Sequence, residues 1–517
     1  MRDARTRAGH ANPRKEEEMQ RLVFGWLALA LGLVLGPIGA TQVLASAEVR
    51  MTGDARVYAD FFANRNFTGW NVSNWTSEAP TWSAAGRRTA ETFEIWERFR
   101  LRSDFITSEA LKFRLGVKVE DTWGHGTLTA ANPTASVEVY QAYLQFMWPE
   151  TKIRITAGLQ PTALPQSPFF NGSPIIDADA ASLVVAAPVI EDTLTLIAAY
   201  TRTIASAQTY EPNLQQIYRN QEGYFLGAAV TLPGVSVTPF VDFSIGGKGA
   251  YYLTEGGWAD GLISAGLLTR KPLGWKDNFI GVLWAGLPIS VTALDPFRIY
   301  ADVLWGQVGL NEYQKNQRQG WFTDLGLEYV GFDALTPQVF GWWASGEDSS
   351  TANGSERLPC YYPGHAENKS STQAWNAGNS FLFDGGQELG KSSNMHVNPA
   401  GGWGFGASLA KVKLVPRLEQ RLTAAYVRGN NSPRAIRDAN AALGSNPLFV
   451  MGRDLTVNEW LLGVNWDSSY ALYDNLALIL ETGWAHPGGF QTSVWGHRLA
   501  SAAQDAWKAA FGFKYTF

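Results

Sequence analysis

Phe511-Gly512-Phe513-Lys514-Tyr515-Thr516-Phe517 closes the chain, and its reading decides the fold. Phe511, Phe513, Tyr515 and Phe517 share one face of a two-residue period, while Gly512, Lys514 and Thr516 share the other. Successive side chains of a β-strand point to opposite faces, so this heptad carries an aromatic face and a small, polar one. A strand with lipid on one side and water on the other requires that division.

Working outward, the same grammar returns along the chain. Val49, Met51, Ala55, Val57, Ala59 and Phe61 alternate with Arg50, Thr52, Asp54, Arg56, Tyr58 and Asp60. Phe93, Ile95, Phe99, Leu101 and Phe105 alternate with Glu94, Arg98, Arg100, Arg102 and Asp104; Glu97 breaks the apolar face and is expected at a rim or a subunit contact. After a turn at Thr107–Ala110, Leu111, Phe113, Leu115, Val117 and Val119 alternate with Lys112, Arg114, Lys118 and Glu120. Tyr140, Ala142, Leu144, Phe146 and Trp148 are read as outward on the next strand. A soluble sandwich also alternates, but its inner faces rarely keep so many charges.

Short turns (107–110, 149–151, 188–192, 233–234, 293–296, 333–337, 416–420, 468–474) interleave with long polar stretches (63–91, 121–135, 203–221, 247–277, 309–319, 347–400, 430–455, 486–503). Bacterial outer-membrane barrels show this asymmetry, with short periplasmic turns and long extracellular loops. The expected fold is an all-β transmembrane antiparallel barrel of 18 strands, with 16 as the alternative if weak strands merge. Residues 258–270 read equally as a loop helix or a strand.

The rest of the chain agrees. Leu22–Leu35 is a short apolar run after Met19-Gln20-Arg21, and it closes on Ala45-Ser46-Ala47. That order reads as a secretory signal peptide, a single membrane anchor being the rival. The expected division is 1–18 as an extension before the initiating Met19, 19–47 as signal peptide, and 48–517 as one barrel domain. No later segment is long and apolar enough for a spanning helix, so a membrane-embedded chain must close its backbone hydrogen bonds as a barrel. The single Cys360 excludes a disulfide scaffold and a cysteine metal site. A net charge of −5 without a basic, aromatic-rich patch argues against nucleic acid as a partner.

With about 16–18 strands, side chains alone cannot fill the interior, so an aqueous channel is expected. Strand one begins close to the predicted cleavage site, which leaves no room for a folded N-terminal plug. Inward positions hold a basic cluster, Arg98, Arg100, Arg102, Arg114, Lys118 and Arg154, with Asp104, Glu120 and Glu138 on the same strands. Such a wall attracts anions, or it merely neutralises the acids and braces the barrel. Gln160–Asp179, stiffened by four prolines, is a candidate constriction loop, with Gln160, Asn171, Asp177 and Asp179 as its polar groups. Folded inward it would set Asp177 and Asp179 across from the arginines; as a plain extracellular loop it would not. All six His (10, 125, 365, 396, 486, 497) fall outside the expected strands, and no nucleophile elbow, zinc-protease or phosphate-cradling motif is present. Neither enzyme activity, cofactor nor metal is expected.

Two resemblances sharpen these expectations. The closing heptad, with Gly512, Tyr515 and Phe517, resembles the C-terminal signal by which outer-membrane barrels are recognised by their assembly machinery. Glu91–Gly126 and Tyr140–Asp179 resemble the outer-membrane trimeric porins of sulfate-reducing bacteria, through Trp96-Glu97-Arg98-Phe99-Arg100-Leu101, Asp121-Thr122-Trp123-Gly124, Gly158-Leu159-Gln160 and Gly172-Ser173-Pro174-Ile175. Val291-Thr292 and Leu294-Asp295-Pro296-Phe297 match as well. The resemblance implies a homotrimer in the outer membrane of a Gram-negative bacterium, in contact with lipopolysaccharide and passing small hydrophilic solutes by diffusion. The rival readings are a sugar- or anion-specific channel, with Trp96, Tyr143 and Phe240 as a greasy slide, then a structural or adhesive barrel using loop 347–400, and a barrel hydrolase that would need a Ser or Asp beside His125 or His486 at a strand rim.

Overall fold

The alternation becomes one antiparallel sheet that closes on itself. The structure, a computed structural model, describes residues 48–65, 67, 91–124, 129–130, 134–204, 221–247, 276–350, 353–360, 375–386, 388–389, 394–443 and 449–517. The expectations for 1–47 and for 258–270 lie outside them.

The first nine strands are β1 (Glu48–Ala63), β2 (Glu91–Ser108), β3 (Leu111–Thr122), β4 (Glu138–Met147), β5 (Arg154–Ala163), β6 (Asp177–Ile190), β7 (Leu194–Ile204), β8 (Gln221–Leu232) and β9. β9 is one strand in two pieces, Val235–Val237 and Phe240–Gly247, since both pair with β8 on one side and β10 on the other. Pro239 causes the break, because it has no N–H to give to a ladder. Then come β10 (Phe279–Val291), β11 (Phe297–Val308), β12 (Arg318–Tyr329), β13 (Thr336–Ala344) and β14 (Gly402–Val415). β15 (Leu418–Gly429), β16 (Trp460–Tyr473), β17 (Leu476–Gly488) and β18 (Ala506–Thr516) complete the wall. Each strand pairs with its sequence neighbours, and β18 pairs with β1, so the barrel has 18 strands and no open edge.

The closing heptad is the seam. Phe513 lies opposite Val57 and Tyr515 opposite Ala55. Gly53 and Phe517 exchange backbone hydrogen bonds of 2.8 and 3.1 Å, which carries the pairing to the last residue. Phe511, Phe513, Tyr515 and Phe517 are exposed on the outer surface, where Phe517 stacks on Phe99 and Tyr515. Gly512 faces inward under Tyr58: a Cβ there would come within 2.3 Å of the Tyr58 Cβ, so this close approach admits only glycine.

Two expectations are corrected, the outward facing of Tyr140 and the placing of His486 outside the strands. A bulge between Gly116 and Val117 lets Gly116 pair with Gln141 and Val117 with Val139, which carries Tyr140 inward over Gly116. His486 lies within β17, its ring on the outer surface between Trp460 and Trp484 and its Nδ1 2.6 Å from Asp505. Glu97 meets its rim expectation: Trp123 Nε1 donates to it at 2.8 Å where the β2–β3 pairing ends.

Candidate functional site

The lumen is the site, and it divides into a filled side and an open one. Inward positions of β10–β17 are largely apolar. Ile280, Val282, Trp284, Leu304, Val308, Phe322, Phe340, Trp342, Ala425, Val427 and Leu461 are all buried in one continuous core. An aqueous channel would leave these side chains wet, so two chain segments cover them.

The first is 164–176, between β5 and β6. It crosses the lumen to the far wall, where the register sets Asp302 of β11 opposite Asp324 of β12. Gln166 Nε2 donates to both carboxylates at 2.9 and 3.0 Å. The Ser167 amide donates to Asp302 at 2.9 Å and its hydroxyl at 2.5 Å. Buried carboxylates are tolerated only where donors satisfy them, so these two fix where the loop lands. Phe169 packs against Tyr300 and Phe340, and Phe170 stacks on Trp375.

The second segment is the described part of 347–400. An extracellular role was one expectation for this stretch; the structure instead buries most of its described residues inside the wall. Trp375 donates from Nε1 to Asp324 at 2.8 Å and packs among Phe322, Trp342 and Phe383. Thr423 Oγ1 donates to the Gly378 carbonyl at 2.5 Å, and Asn465 Nδ2 to the Asn379 carbonyl at 3.1 Å. Inward glycines make room: a Cβ on Gly463 would sit 2.7 Å from Leu382, and one on Gly483 2.8 Å from Phe381. Farther along, the amides of Glu388 and Leu389 donate to Glu481 at 2.7 and 3.1 Å, and the same carboxylate pairs with Lys508 at 2.7 Å. His396 Nδ1 bonds Asp384, and Arg65 Nη2 lies 2.8 Å from His396 Nε2. A guanidinium only donates, so that ring is neutral with its proton on Nδ1. Burial holds His396 below its ordinary value against the pull of Asp384, and Arg65 and Arg453 push the same way as burial. Cys360 is buried in this segment too.

The more open side is the wall of β1–β5, although the Glu388–Leu389 stretch covers part of its β1–β2 edge, where Arg56 donates to the Glu388 carbonyl and Trp96 and Tyr58 pack on Leu389. Asp54 lies opposite Arg100, and Arg56 opposite Arg98. The Asp54 carboxylate takes Arg56 at 3.0 Å, Arg98 at 3.3 Å and Arg100 at 2.7 Å, leaving this corner net positive. Arg114 grips Asp104 with two bonds of 2.6 Å and lies over the Tyr143 ring. Lys118 is 3.0 Å from Glu138 and 4.0 Å from Glu120. Arg102 faces Thr52 and Gly116 across its neighbouring strands, and Arg154 faces Met147 and Ala186.

The predicted loop residues separate into different tasks. Gln160 is a brace, donating to the Ser182 and Thr156 carbonyls at 2.9 and 3.3 Å. Asn171 joins the two luminal segments, its amide donating to the Asn376 carbonyl at 3.0 Å. Asp177 and Asp179 begin β6, on the arginine side rather than across from it; Gln141 donates to Asp179 at 3.4 Å. The acids across the lumen are Asp302 and Asp324, which the sequence reading missed. Their signal was present: two strands in succession carry an inward Asp among apolar residues. The three aromatics of the greasy slide do not form a row. Trp96 packs with Tyr58 and Leu389, Phe240 belongs to the large core, and Tyr143 lies beneath Arg114. Among the described residues no three His, Cys, Asp or Glu side chains converge as a metal would require.

No family profile and no curated protein matches the chain. Among solved structures it is similar to OccK8 (OprE) of Pseudomonas aeruginosa, at 10% identity and a TM-score of 0.46, over 92% of this chain and 99% of that one. The outer membrane channel DcaP of Acinetobacter baumannii matches at 10% identity and 0.38, over 93% and 100%. A loop-deletion form of the Vibrio cholerae outer membrane protein OmpT matches at 10% identity and 0.36, over 91% and 100%.

Proposed function

We propose that this chain is a channel of the Gram-negative outer membrane that passes small hydrophilic solutes by diffusion along the β1–β5 wall, with a preference for anions. The observation that carries the reading is the unequal lining of a closed barrel. Its outer face is apolar, one inner side is sealed by its own chain, and the other keeps a polar surface with more cations than acids. The resemblance at 91–126 and 140–179 supports assembly as a homotrimer, and the aromatic, polar-alternating end supports recognition by the barrel-assembly machinery. Cross-linking in detergent tests the first, and truncation of Tyr515–Phe517 followed by membrane fractionation tests the second.

The reading predicts stepwise conductance when the purified protein enters a planar bilayer, with a reversal potential on the anion-selective side in a potassium chloride gradient. A protein that folds and inserts but never conducts would sink it. Replacing 375–386 by a short glycine-serine linker should raise single-channel conductance several-fold, because those residues occupy cross-section that water would otherwise fill. Unchanged conductance with altered cell attachment would favour the adhesive reading instead.

A further inference from the structure

A polar niche lies on the inner face of β7–β9, away from the basic wall. Register places Asp242 of β9 between Phe225 of β8 and Trp284 of β10, all three facing inward. Ser244, two residues on, lies opposite Gly223 of β8, and Gly223 lies opposite Thr201 of β7. The glycine is the floor of the niche. A Cβ built on it would stand 3.1 Å from Ser244 Oγ, 3.8 Å from Asp242 Oδ1 and 3.9 Å from the Thr201 Cβ. Phe225, stacked on Phe240 with ring centroids 5.8 Å apart, closes the opposite side. Asp242 has neither a hydrogen bond nor an ion pair to any described residue, and no described charge stands close enough to act on it. By contrast, Asp302 and Asp324 share Gln166, Glu481 holds Lys508, and Asp104 is gripped by Arg114. We propose that this niche binds the primary ammonium group of a small permeating solute, with Asp242 as its counter-ion. The proposal rests on the channel reading above and deepens it by naming a solute class.

The chemistry of the niche matches that group. A carboxylate drawn away from bulk water is costly without a donor, and a bound cation offsets that cost. A primary ammonium carries three N–H donors and no acceptor, and three oxygen-bearing side chains, Asp242, Ser244 and Thr201, surround the bare floor. Ser244 already has a partner, but a hydroxyl that donates keeps lone pairs with which to accept. The Phe225 ring offers the cation a π-face and the alkyl stem an apolar bed. A divalent metal takes about six oxygens, more than the niche holds. An anionic solute finds no cation there. Gly223 is the third residue of β8, about 7 Å along the strand from its long-loop end, so the niche lies near the outer mouth.

The test uses the full chain in planar bilayers bathed in potassium chloride, with heat-modifiable gel mobility as a folding check. Butylammonium chloride is the probe, and butanol and sodium butyrate are its neutral and anionic counterparts. Butylammonium should lower the single-channel current in a saturable way, and the other two should not at the same concentrations. D242N keeps the shape and loses the charge, so it should raise the half-blocking concentration about tenfold, the difference between a charge-assisted and a neutral hydrogen bond. G223A fills the floor while keeping Asp242, and it should weaken the block as well. E328Q removes another inward acid, one already engaged by Tyr300 and Gln338, and should leave the block unchanged. A conducting parent that butylammonium does not block overturns the inference, and so does an unchanged half-blocking concentration in folded D242N; the channel reading survives both. An equal shift in E328Q would mean that luminal charge number alone decides, and equal block by butanol that only an apolar surface binds; either overturns it. Should D242N fail to fold, unaltered block in G223A overturns it instead. Absence of any conductance in the parent protein defeats the channel reading itself.

Discussion

The β2–β5 wall and the β10–β17 wall share one outward rule and obey opposite inward ones. On β2–β5 the inner face is charged: Arg98, Arg100, Arg102, Asp104, Arg114 and Lys118 stand where water can reach them. On β10–β17 the inner face is largely apolar or glycine, as at Trp284, Leu304, Phe322, Phe340, Trp342, Gly463 and Gly483, and buried polar groups among them such as Asp302, Asp324 and Glu481 are held by donors. Strands apolar on both faces are ordinary where both faces are covered, and here lipid covers one and the chain's own segments cover the other. The lesson is that a wide barrel need not treat its interior as one environment. Half of it is folded as a protein core, and half is kept as a surface.

Three substitutions break or sharpen that contrast, from the largest effect to the smallest. Trp375→Ala removes the ring that joins Phe170, Phe322, Trp342 and Phe383 and leaves Asp324 without its indole donor. A loss of about 3–5 kcal/mol is expected, the usual cost of such a cavity. It is read from the denaturant midpoint of the gel-mobility shift, with Arg102→Gln as the near-neutral control. Equal midpoints for the two would mean that the filled side is not a core. Gly463→Leu drives a side chain into Leu382 and should cost about 1–3 kcal/mol by overpacking. It should also admit more current if the segment yields; a wild-type midpoint and conductance together would contradict the packing.

The smallest effect is a pH dependence at His396. Burial keeps its pKa below the ordinary 6.5, so the unfolded chain binds the proton more readily than the folded one. Its contribution to stability is complete above pH 6.5 and declines as pH falls from there through the depressed folded value. His396→Gln should flatten that part of the stability curve, and a variant that keeps the same slope would clear His396 of the role.

Much of the wall was legible in the sequence. The strand number, most of the short and long connections and the outward set from Val49 to Phe517 follow from a period of two, because lipid penalises every polar residue it meets. Exceptions mark where local geometry intervenes: the bulge turns Tyr140 inward, β16 runs through 468–473 where a turn was expected, and β17 runs far enough to include His486. The filling of the lumen was legible only in part. The prolines of 160–179 indicated a compact loop, whereas 347–400, rich in Asn, Ser and Gly, resembled a surface stretch. The missed signal lay in its partners, the inward glycines and aromatics of β12–β17, which have no reason to face water.

The sequence by itself determined the barrel, its closure and its lipid face, since alternation is a local property that each strand states for itself. Only the tertiary structure decided which inward charges are spent. Asp54 gathers Arg56, Arg98 and Arg100 because β1 lies beside β2 in one register, and Asp302 meets Gln166 because a loop from β5 reaches β11. Those pairings join residues far apart in the chain, and a one-residue slip in register would move every such side chain to the other face.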